Sequence, residues 1–109
     1  MTLIADRDQF IAAAGGCKQL LGREISRELE EKMENREYVM ASGGDKNFIP
    51  VAAEGMEDFV HEAICPIICE GDVIGAVILL DPDVKNGMGE VEQKLIQSAA
   101  GFLGRQMEQ

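Results

Sequence analysis

The most constraining feature of this sequence is a continuous apolar run, Val73 to Leu80, that contains no polar side chain. A strand with one face in water alternates apolar and polar residues, whereas this run is apolar at every position. It follows Glu70-Gly71-Asp72, where a glycine stands between two apolar runs, so the segment is predicted to be the second arm of a β-hairpin. We therefore expect a strand that is covered on both faces, by helices, by a ligand or by another subunit.

Length and composition predict a single acidic globular domain over residues 1–109. The hydrophobic fraction of 46% and the charged fraction of 28% are ordinary for a globular protein of this size. The formal net charge of −10 disfavours binding to nucleic acid or to an anionic membrane, because both depend on clustered Lys and Arg. No apolar run approaches the roughly 20 residues that span a bilayer, and the N-terminus does not resemble a signal peptide, so a cytoplasmic location is expected.

Strand and helix patterns alternate along the rest of the chain. Apolar periodicity, glycines and polar turn residues mark the boundaries. The predicted elements are hairpin strands at Thr2 to Ala5 and Phe10 to Ala14, an amphipathic helix between Lys18 and Arg36 with a break at Gly22, extended segments at Tyr38 to Ala41 and Phe48 to Val51, and a last helix from Glu90 to Met107.

The cysteines are predicted to be reduced thiols rather than metal ligands. His61, Cys65 and Cys69 share a four-residue spacing, which on a helix would place them on one face. Pro66 and its isoleucine neighbours favour a strand instead, where each step of four residues covers about 13 Å. Neither a shared metal ion nor a disulfide between Cys65 and Cys69 fits that distance. We predict no metal site, and the third cysteine, Cys17, is expected to be buried.

Six residues are candidates for lining a small-molecule cavity between the sheet and its loops. Filling of the core is the simpler interpretation of most of them. His61 and Glu62 are the nearest polar groups, and as neighbours in a strand they should point to opposite faces. No Ser or Cys lies beside His61 in sequence, so a hydrolase or redox enzyme that uses His61 and a thiol is a disfavoured alternative, and we predict no catalytic residue. The six candidates are Tyr38, Met40, Phe48, Phe59, His61 and Cys65.

The last helix has a wider apolar stripe than packing on one sheet requires. Small residues within it allow close approach of another backbone, either of its own sheet or of a second subunit. One apolar row consists of Val91, Leu95, Ala99 and Phe102, and its neighbour consists of Ile96, Ala100, Leu103 and Met107. The candidate interface residues of a homo-oligomer are Ala99, Ala100, Leu103 and Met107.

Three segments carry a resemblance to a known family. They are Ala5-Asp6-Arg7-Asp8, the hairpin Glu70-Gly71-Asp72-Val73-Ile74-Gly75-Ala76-Val77, and the ending that begins Met88-Gly89-Glu90-Val91-Glu92-Gln93-Lys94 and continues from Ala99 to Gln109. In these segments the chain resembles the C-terminal GAF domain of the stage V sporulation protein T family, and the resemblance covers its whole length. It implies a regulator of forespore transcription in endospore-forming bacteria, in which an AbrB-type N-terminal domain binds DNA. The GAF domain of that family is expected to assemble the oligomer and to sense a small molecule.

The combined prediction is an α/β (α+β), GAF-like domain with a mainly antiparallel sheet. The N- and C-terminal helices pack on one face of the sheet, and a loop-lined cavity lies on the other. The DNA-binding domain of the family is absent, so a fragment of a longer regulator is expected, and no cofactor is specified. Small-molecule sensing and homo-oligomer assembly are the expected functions; the alternative is a purely structural oligomerisation module without a ligand.

Overall fold

An antiparallel sheet of five strands organises the computed structural model, which describes residues 1–54, 59–81 and 88–108. The elements in chain order are strand β1 (Thr2–Ala5), strand β2 (Phe10–Ala14), a 3-10 turn (Lys18–Leu20), helix α1 (Arg27–Glu34), strand β3 (Val39–Ser42), strand β4 (His61–Cys69), strand β5 (Asp72–Asp81) and helix α2 (Glu90–Gln106). The strand order is β2-β1-β5-β4-β3, and every neighbouring pair is antiparallel. The predicted α+β class and antiparallel sheet are confirmed.

The apolar run of the sequence forms β5, the middle strand of the sheet. Ile78 and Leu80 are buried on one face, in a core shared with α1, whereas Val77 is buried on the other face, in a core shared with α2. Both faces are therefore covered, as the sequence predicts. Gly75 allows β1 to lie close to β5, since a β-carbon at this position would lie 2.1 Å from the carbonyl oxygen of Ala5.

The two helices lie on opposite faces of the sheet, so the prediction that both pack on one face is wrong. Leu29 of α1 belongs to the core around Ile78, while Ile96 of α2 belongs to the core around Val77. The physical reason is that β5 has two apolar faces, and the stripe of one helix covers only one of them. Loop side chains complete the cover beside α1: Cys17, Leu20, Ile25, Ile49, Val51 and Ala52.

Helix α1 is shorter than the predicted amphipathic segment. Gly22, at φ +80°, marks the predicted break. Ser26 caps the helix, because its Oγ accepts a hydrogen bond from the backbone N–H of Leu29 at 2.9 Å. Leu29 and Met33 are buried as the amphipathic pattern requires, but Leu21 lies outside the helix and is exposed.

The segment that the sequence predicts to be extended at Phe48 to Val51 is not a strand. Pro50 has no N–H for a β-ladder, and its carbonyl accepts a hydrogen bond from the Oγ of Ser26 at 2.5 Å. The nearest β-pairing is an isolated bridge between Ile25 and Ala52. The apolar pattern here belongs to a buried connecting segment rather than to the sheet.

Both predicted hairpins are present. Glu70 and Gly71 join the paired residues Cys69 and Asp72, and both have positive φ, 51° and 87°. This is the type I′ geometry that fits the twist of a two-residue hairpin. In the opening hairpin, Oδ1 of Asp6 accepts hydrogen bonds from the backbone N–H groups two and three residues ahead, at 2.7 and 2.8 Å.

Helix α2 ends one residue before the predicted boundary and packs closely on the sheet. At its start, the backbone N–H of Gly89 donates to Oε1 of Glu92 at 2.7 Å. Gly104 faces the carbonyl of Ile68, and a β-carbon there would lie 2.2 Å from that oxygen. In the part of the chain that the structure describes, neither helix has the length and hydropathy required to cross a bilayer.

Candidate functional site

His61 and Glu62 begin β4 and point to opposite faces of the sheet, as predicted. Glu62 is 0% exposed and lies on the α1 face, on the same side as the core residue Ile64. His61 is also buried and lies on the side of Ala63, which packs against α2. Two polar side chains thus lie back to back at one end of the strand.

Only one of the two carboxyl oxygens of Glu62 has a described hydrogen-bond partner. Its Oε1 accepts a hydrogen bond from the backbone N–H of Ile49 at 2.7 Å, whereas its buried Oε2 has no partner among the described residues. Burial raises the pKa of Glu62 from 4.5 to about 7, and the hydrogen bond from Ile49 opposes that rise. Near pH 7 this buried acid is therefore poised between its neutral and charged forms.

Glu62 is the functional candidate that the sequence-based set of six omits. Its signal is a carboxylate inside a strand in which nearly every neighbouring side chain is apolar. A buried charge is costly unless it is paired, so such a residue marks either a strong interaction or a shifted pKa. Its partner Ile49 is 13 residues away in sequence, and no local pattern indicates that pairing.

Glu62 is connected to α1 through residues 49–52, which we call the strap. Ile49 donates to Glu62 at the first residue of the strap. The next two carbonyls, of Pro50 and Val51, accept hydrogen bonds from the Oγ and the backbone N–H of Ser26, the latter at 2.8 Å. Because Ser26 is also the N-cap of α1, the strap joins the buried carboxyl group to the first turn of the helix.

His61 has a hydroxyl partner that is distant in sequence. Its Nδ1 lies 2.8 Å from the Oγ of Ser42, the residue opposite it on β3, while its buried Nε2 has no partner among the described residues. A histidine that activates a serine is normally oriented by a third group bound to its other ring nitrogen. The described contacts include the pair of Ser42 and His61 but no third group that orients the histidine. They therefore give no support to a hydrolase.

Tyr38, Met40 and Cys65 lie on the α2 face and pack against its core. The hydroxyl of Tyr38 is buried and has no described partner. Burial raises the pKa of Tyr38, with a further contribution from Cys65, and burial also raises the pKa of Cys65. Both groups are held in their neutral forms, so Cys65 lacks the lowered pKa of a reactive thiol.

Phe48 and Phe59 are partly buried on the other side of the sheet, in the α1 core. The sheet therefore separates them from Tyr38, Met40 and Cys65. The six predicted ligand residues therefore do not share one wall, and Glu62 lies on the same face of the sheet as Phe48 and Phe59. A ligand role for any of the six remains a prediction.

The cysteines lie as the strand prediction requires. Cys65 and Cys69 belong to extended β4, Cys17 is buried, and all three are free thiols. Within residues 1–54, 59–81 and 88–108, no three His, Cys, Asp or Glu side chains lie close enough together to hold a metal ion.

Helix α2 presents a different apolar row to the solvent from the one we predicted as an interface. Ala100 is buried against the sheet of its own chain, and Ala99 and Leu103 are partly buried with it, so Met107 alone of the four candidates is well exposed. The other row has three large exposed side chains: Val91 at 74%, Leu95 at 59% and Phe102 at 55%. At 100° per residue they lie nearly opposite Ile96, Ala100 and Gly104, the buried side of the helix.

Two comparisons relate the chain to known proteins. Residues 1–108 match the family described as "Stage V sporulation protein T C-terminal, transcription factor". The chain is also similar to stage V sporulation protein T of Bacillus subtilis (strain 168), with 43% identity over 108 residues. That match covers 98% of this chain and 58% of the relative, so the chain spans little more than half the length of that protein.

Proposed function

Because the chain belongs to the family of stage V sporulation protein T C-terminal domains, we propose that it is the regulatory domain of a sporulation transcription factor, which joins subunits through α2 and senses a small molecule. We further propose that it acts in the forespore, in keeping with the sporulation role in the relative's name. The net charge of −10 supports a division of labour in which DNA is bound by another part of the regulator.

The observation that carries the assembly proposal is the exposed row Val91, Leu95 and Phe102 on α2. A helix that covers one face of a sheet normally has polar residues on its outer side. This helix has large apolar residues there, and together with Ala99 they form a stripe along its length. Exposed apolar stripes of this kind are typical of protein interfaces.

We propose that two copies pair through this row about a twofold axis. Twofold pairing places the same surface on both subunits, so Leu95 and Phe102 of one copy meet the same row of the other. Val91 and Phe102 are 11 residues apart, so the row extends about 16 Å along the helix at 1.5 Å per residue. The contact thus involves about three helical turns on each subunit.

The test is the mass of the domain in solution before and after Leu95→Glu. The chain has a mass of 11.9 kDa, and we expect twice that mass or a higher multiple at high protein concentration. A charge at Leu95 should restore the monomer mass, because it would be buried without a partner in the interface. Gln97→Glu adds the same charge at an exposed site on another side of α2 and should leave the mass unchanged. A Leu95→Glu variant with the wild-type mass at every concentration would remove the basis for this interface.

The sensing proposal is supported by the α1 face. Phe48 and Phe59 are only partly buried there, close in the fold to a carboxyl group whose second oxygen has no described partner. The rival is a purely structural module, and the observation that favours it is that both faces of the sheet are covered by buried side chains of the chain itself.

Thermal melting in the presence of nucleotides, amino acids and sporulation metabolites distinguishes a small-molecule sensor from a purely structural module. A ligand at 100 times its dissociation constant adds about 2.7 kcal/mol, which is several degrees for a domain of this size. A saturable shift that Glu62→Gln or Phe48→Ala abolishes supports sensing on the α1 face. An unchanged melting temperature across the panel, together with a concentration-dependent dimer, favours the structural module.

A further inference from the structure

We propose that Glu62 is a proton-binding latch: its neutral form holds the strap and, through the strap, the first turn of α1, and loss of its proton releases them. This goes beyond ligand sensing and subunit pairing, and it does not depend on either. The proton is the ligand, and the responding element is the contact between α1 and the sheet.

The surroundings of Glu62 favour the neutral acid. Its cross-strand partners are Ala41 on β3 and Leu80 on β5, and the buried α1 residues on this face, Leu29 and Met33, are apolar. No cation among the described residues compensates a charge here, and burial is accordingly the main cause of the raised pKa.

The neighbouring titratable groups that the structure describes do not face this carboxyl group. His61 and Cys65 on the same strand point to the α2 face, as does Asp81, the cross-strand partner of His61. Asp45, in the loop after β3, uses its Oδ2 to accept the backbone N–H of Ser42 at 2.8 Å. The acidic and basic side chains of α1 lie on its outer side.

The strap transmits the state of Glu62 to α1 through consecutive hydrogen bonds. Glu62 holds Ile49, and the two residues that follow hold both the backbone and the side chain of Ser26. The hydrogen bond from Ile49 favours the charged form of Glu62, but the cost of burying the charge outweighs it. The charged form therefore gains free energy when the strap moves and water reaches the carboxylate. Movement of the strap removes two of the hydrogen bonds that hold the N-cap of α1.

The direction of the pH effect follows from the raised pKa. Because the carboxyl group binds its proton more tightly in the folded state, the proton stabilises the closed strap fully below about pH 4.5, and this stabilisation is lost as the pH rises through about 7. Between pH 6 and pH 8 the ratio of open to closed strap should increase about tenfold for a group with this pKa.

Amide hydrogen exchange measured by NMR at pH 6 and pH 8 tests the latch. In the wild type, after correction for intrinsic exchange, we expect protection of the Ile49, Ser26 and Leu29 amides to fall about tenfold over this range. The amide of Ile78 in the central strand should keep its protection. In Glu62→Gln the protection should be the same at both pH values, because glutamine mimics the neutral acid and still accepts from Ile49. Glu54→Gln, an equal charge change at an exposed residue, should behave as the wild type.

Two results of the exchange experiment would overturn the proposal. One is an equal pH dependence of the strap amides in the wild type and in Glu62→Gln. The other is an equal loss of protection at Ile78, which would make Glu62 a group of global stability rather than a local latch. If Glu62→Gln does not fold, the 13C titration of the Glu62 carboxyl in the wild type decides the matter, since a midpoint below pH 5 also excludes the latch.

Discussion

Replacing Gly104 by alanine should weaken the packing of α2 on the sheet and lower the free energy of unfolding. The added β-carbon would lie 2.2 Å from the carbonyl oxygen of Ile68, and real β-carbons essentially never approach closer than 3.0 Å. The obstacle is backbone, which cannot rotate away as a side chain can. The helix or the strand therefore has to move by about 1 Å, and the contacts of Ile96 and Ala100 with the sheet loosen with it.

The magnitude follows from two opposing contributions. Overpacking of a core costs about 1–3 kcal/mol, and a clash with backbone belongs at the upper end of that range. Alanine recovers about 1 kcal/mol because glycine is a poor helix former. We expect Gly104→Ala to lower the free energy of unfolding by about 2 kcal/mol.

Gly101→Ala is the matched control on the same helix. Its β-carbon would meet only the flexible guanidinium of Arg105, at 3.3 Å, so the gain in helix propensity should dominate. We expect it to raise the free energy of unfolding by about 0.5–1 kcal/mol. Urea unfolding at one protein concentration, chosen because subunit pairing also affects stability, measures both variants. If Gly104→Ala proves as stable as Gly101→Ala, the result contradicts the close packing of α2 on β4 at Gly104.

Two further predictions concern local structure. Ser26→Ala removes the N-cap of α1 and the link to Pro50, and it should cost about 1–2 kcal/mol of unfolding free energy in urea titrations. Gln97→Ala, at an exposed site on a side of α2 away from the apolar row, should be nearly neutral. Glu70→Asn should raise the melting temperature slightly, because asparagine adopts the left-handed backbone of the type I′ turn more readily than glutamate; a lower melting temperature would contradict that assignment of the turn.

The sequence predicts the sheet better than the arrangement of its helices. The run from Val73 to Leu80 has no polar position, which requires a central strand, and the turn at Gly71 determines its partner. Periodicity shows that a helix has an apolar stripe, but it does not indicate which face of the sheet that stripe covers. Pro50 and its apolar neighbours resemble a strand, yet they form the strap, because Ser26 and Glu62 supply the hydrogen bonds that a β-ladder would otherwise provide.

At the candidate site, strand alternation predicts what neighbouring residues do but not what distant ones contribute. The opposite directions of His61 and Glu62 follow from the period of two, and the structure confirms them. The contacts that give these residues their chemistry come from Ser42 and Ile49, which are 19 and 13 residues away in sequence. Burial of Glu62 is likewise a product of the tertiary fold, so its raised pKa has no local signature beyond the apolar context.

Helix α2 carries large apolar side chains on its exposed face, and their exposed area determines how strongly two copies of the chain should pair. Its small residues Ala100 and Gly104 face the sheet beside Ile96, and no β-carbon fits next to the carbonyl of Ile68 at position 104. The larger apolar residues Val91, Leu95 and Phe102 face outward. Fully burying a side chain such as Val, Leu or Phe gains about 1.5–3 kcal/mol, and the residues Val91, Leu95 and Phe102 are already partly covered. Six such side chains in a dimer therefore gain on the order of 6–12 kcal/mol, against an association cost of about 4–15 kcal/mol.

The most favourable combination of these two ranges leaves about 8 kcal/mol, which corresponds to a dissociation constant of about 1 μM. This row alone should therefore give a weak dimer, whose population changes with concentration in the micromolar range or above. Sedimentation equilibrium over a wide range of protein concentration should show monomer and dimer in exchange, with Phe102→Ala moving the midpoint to higher concentration. A dimer that stays intact at nanomolar concentration would mean that surfaces beyond α2 contribute most of the binding free energy, and Phe102→Ala would then change the mass very little.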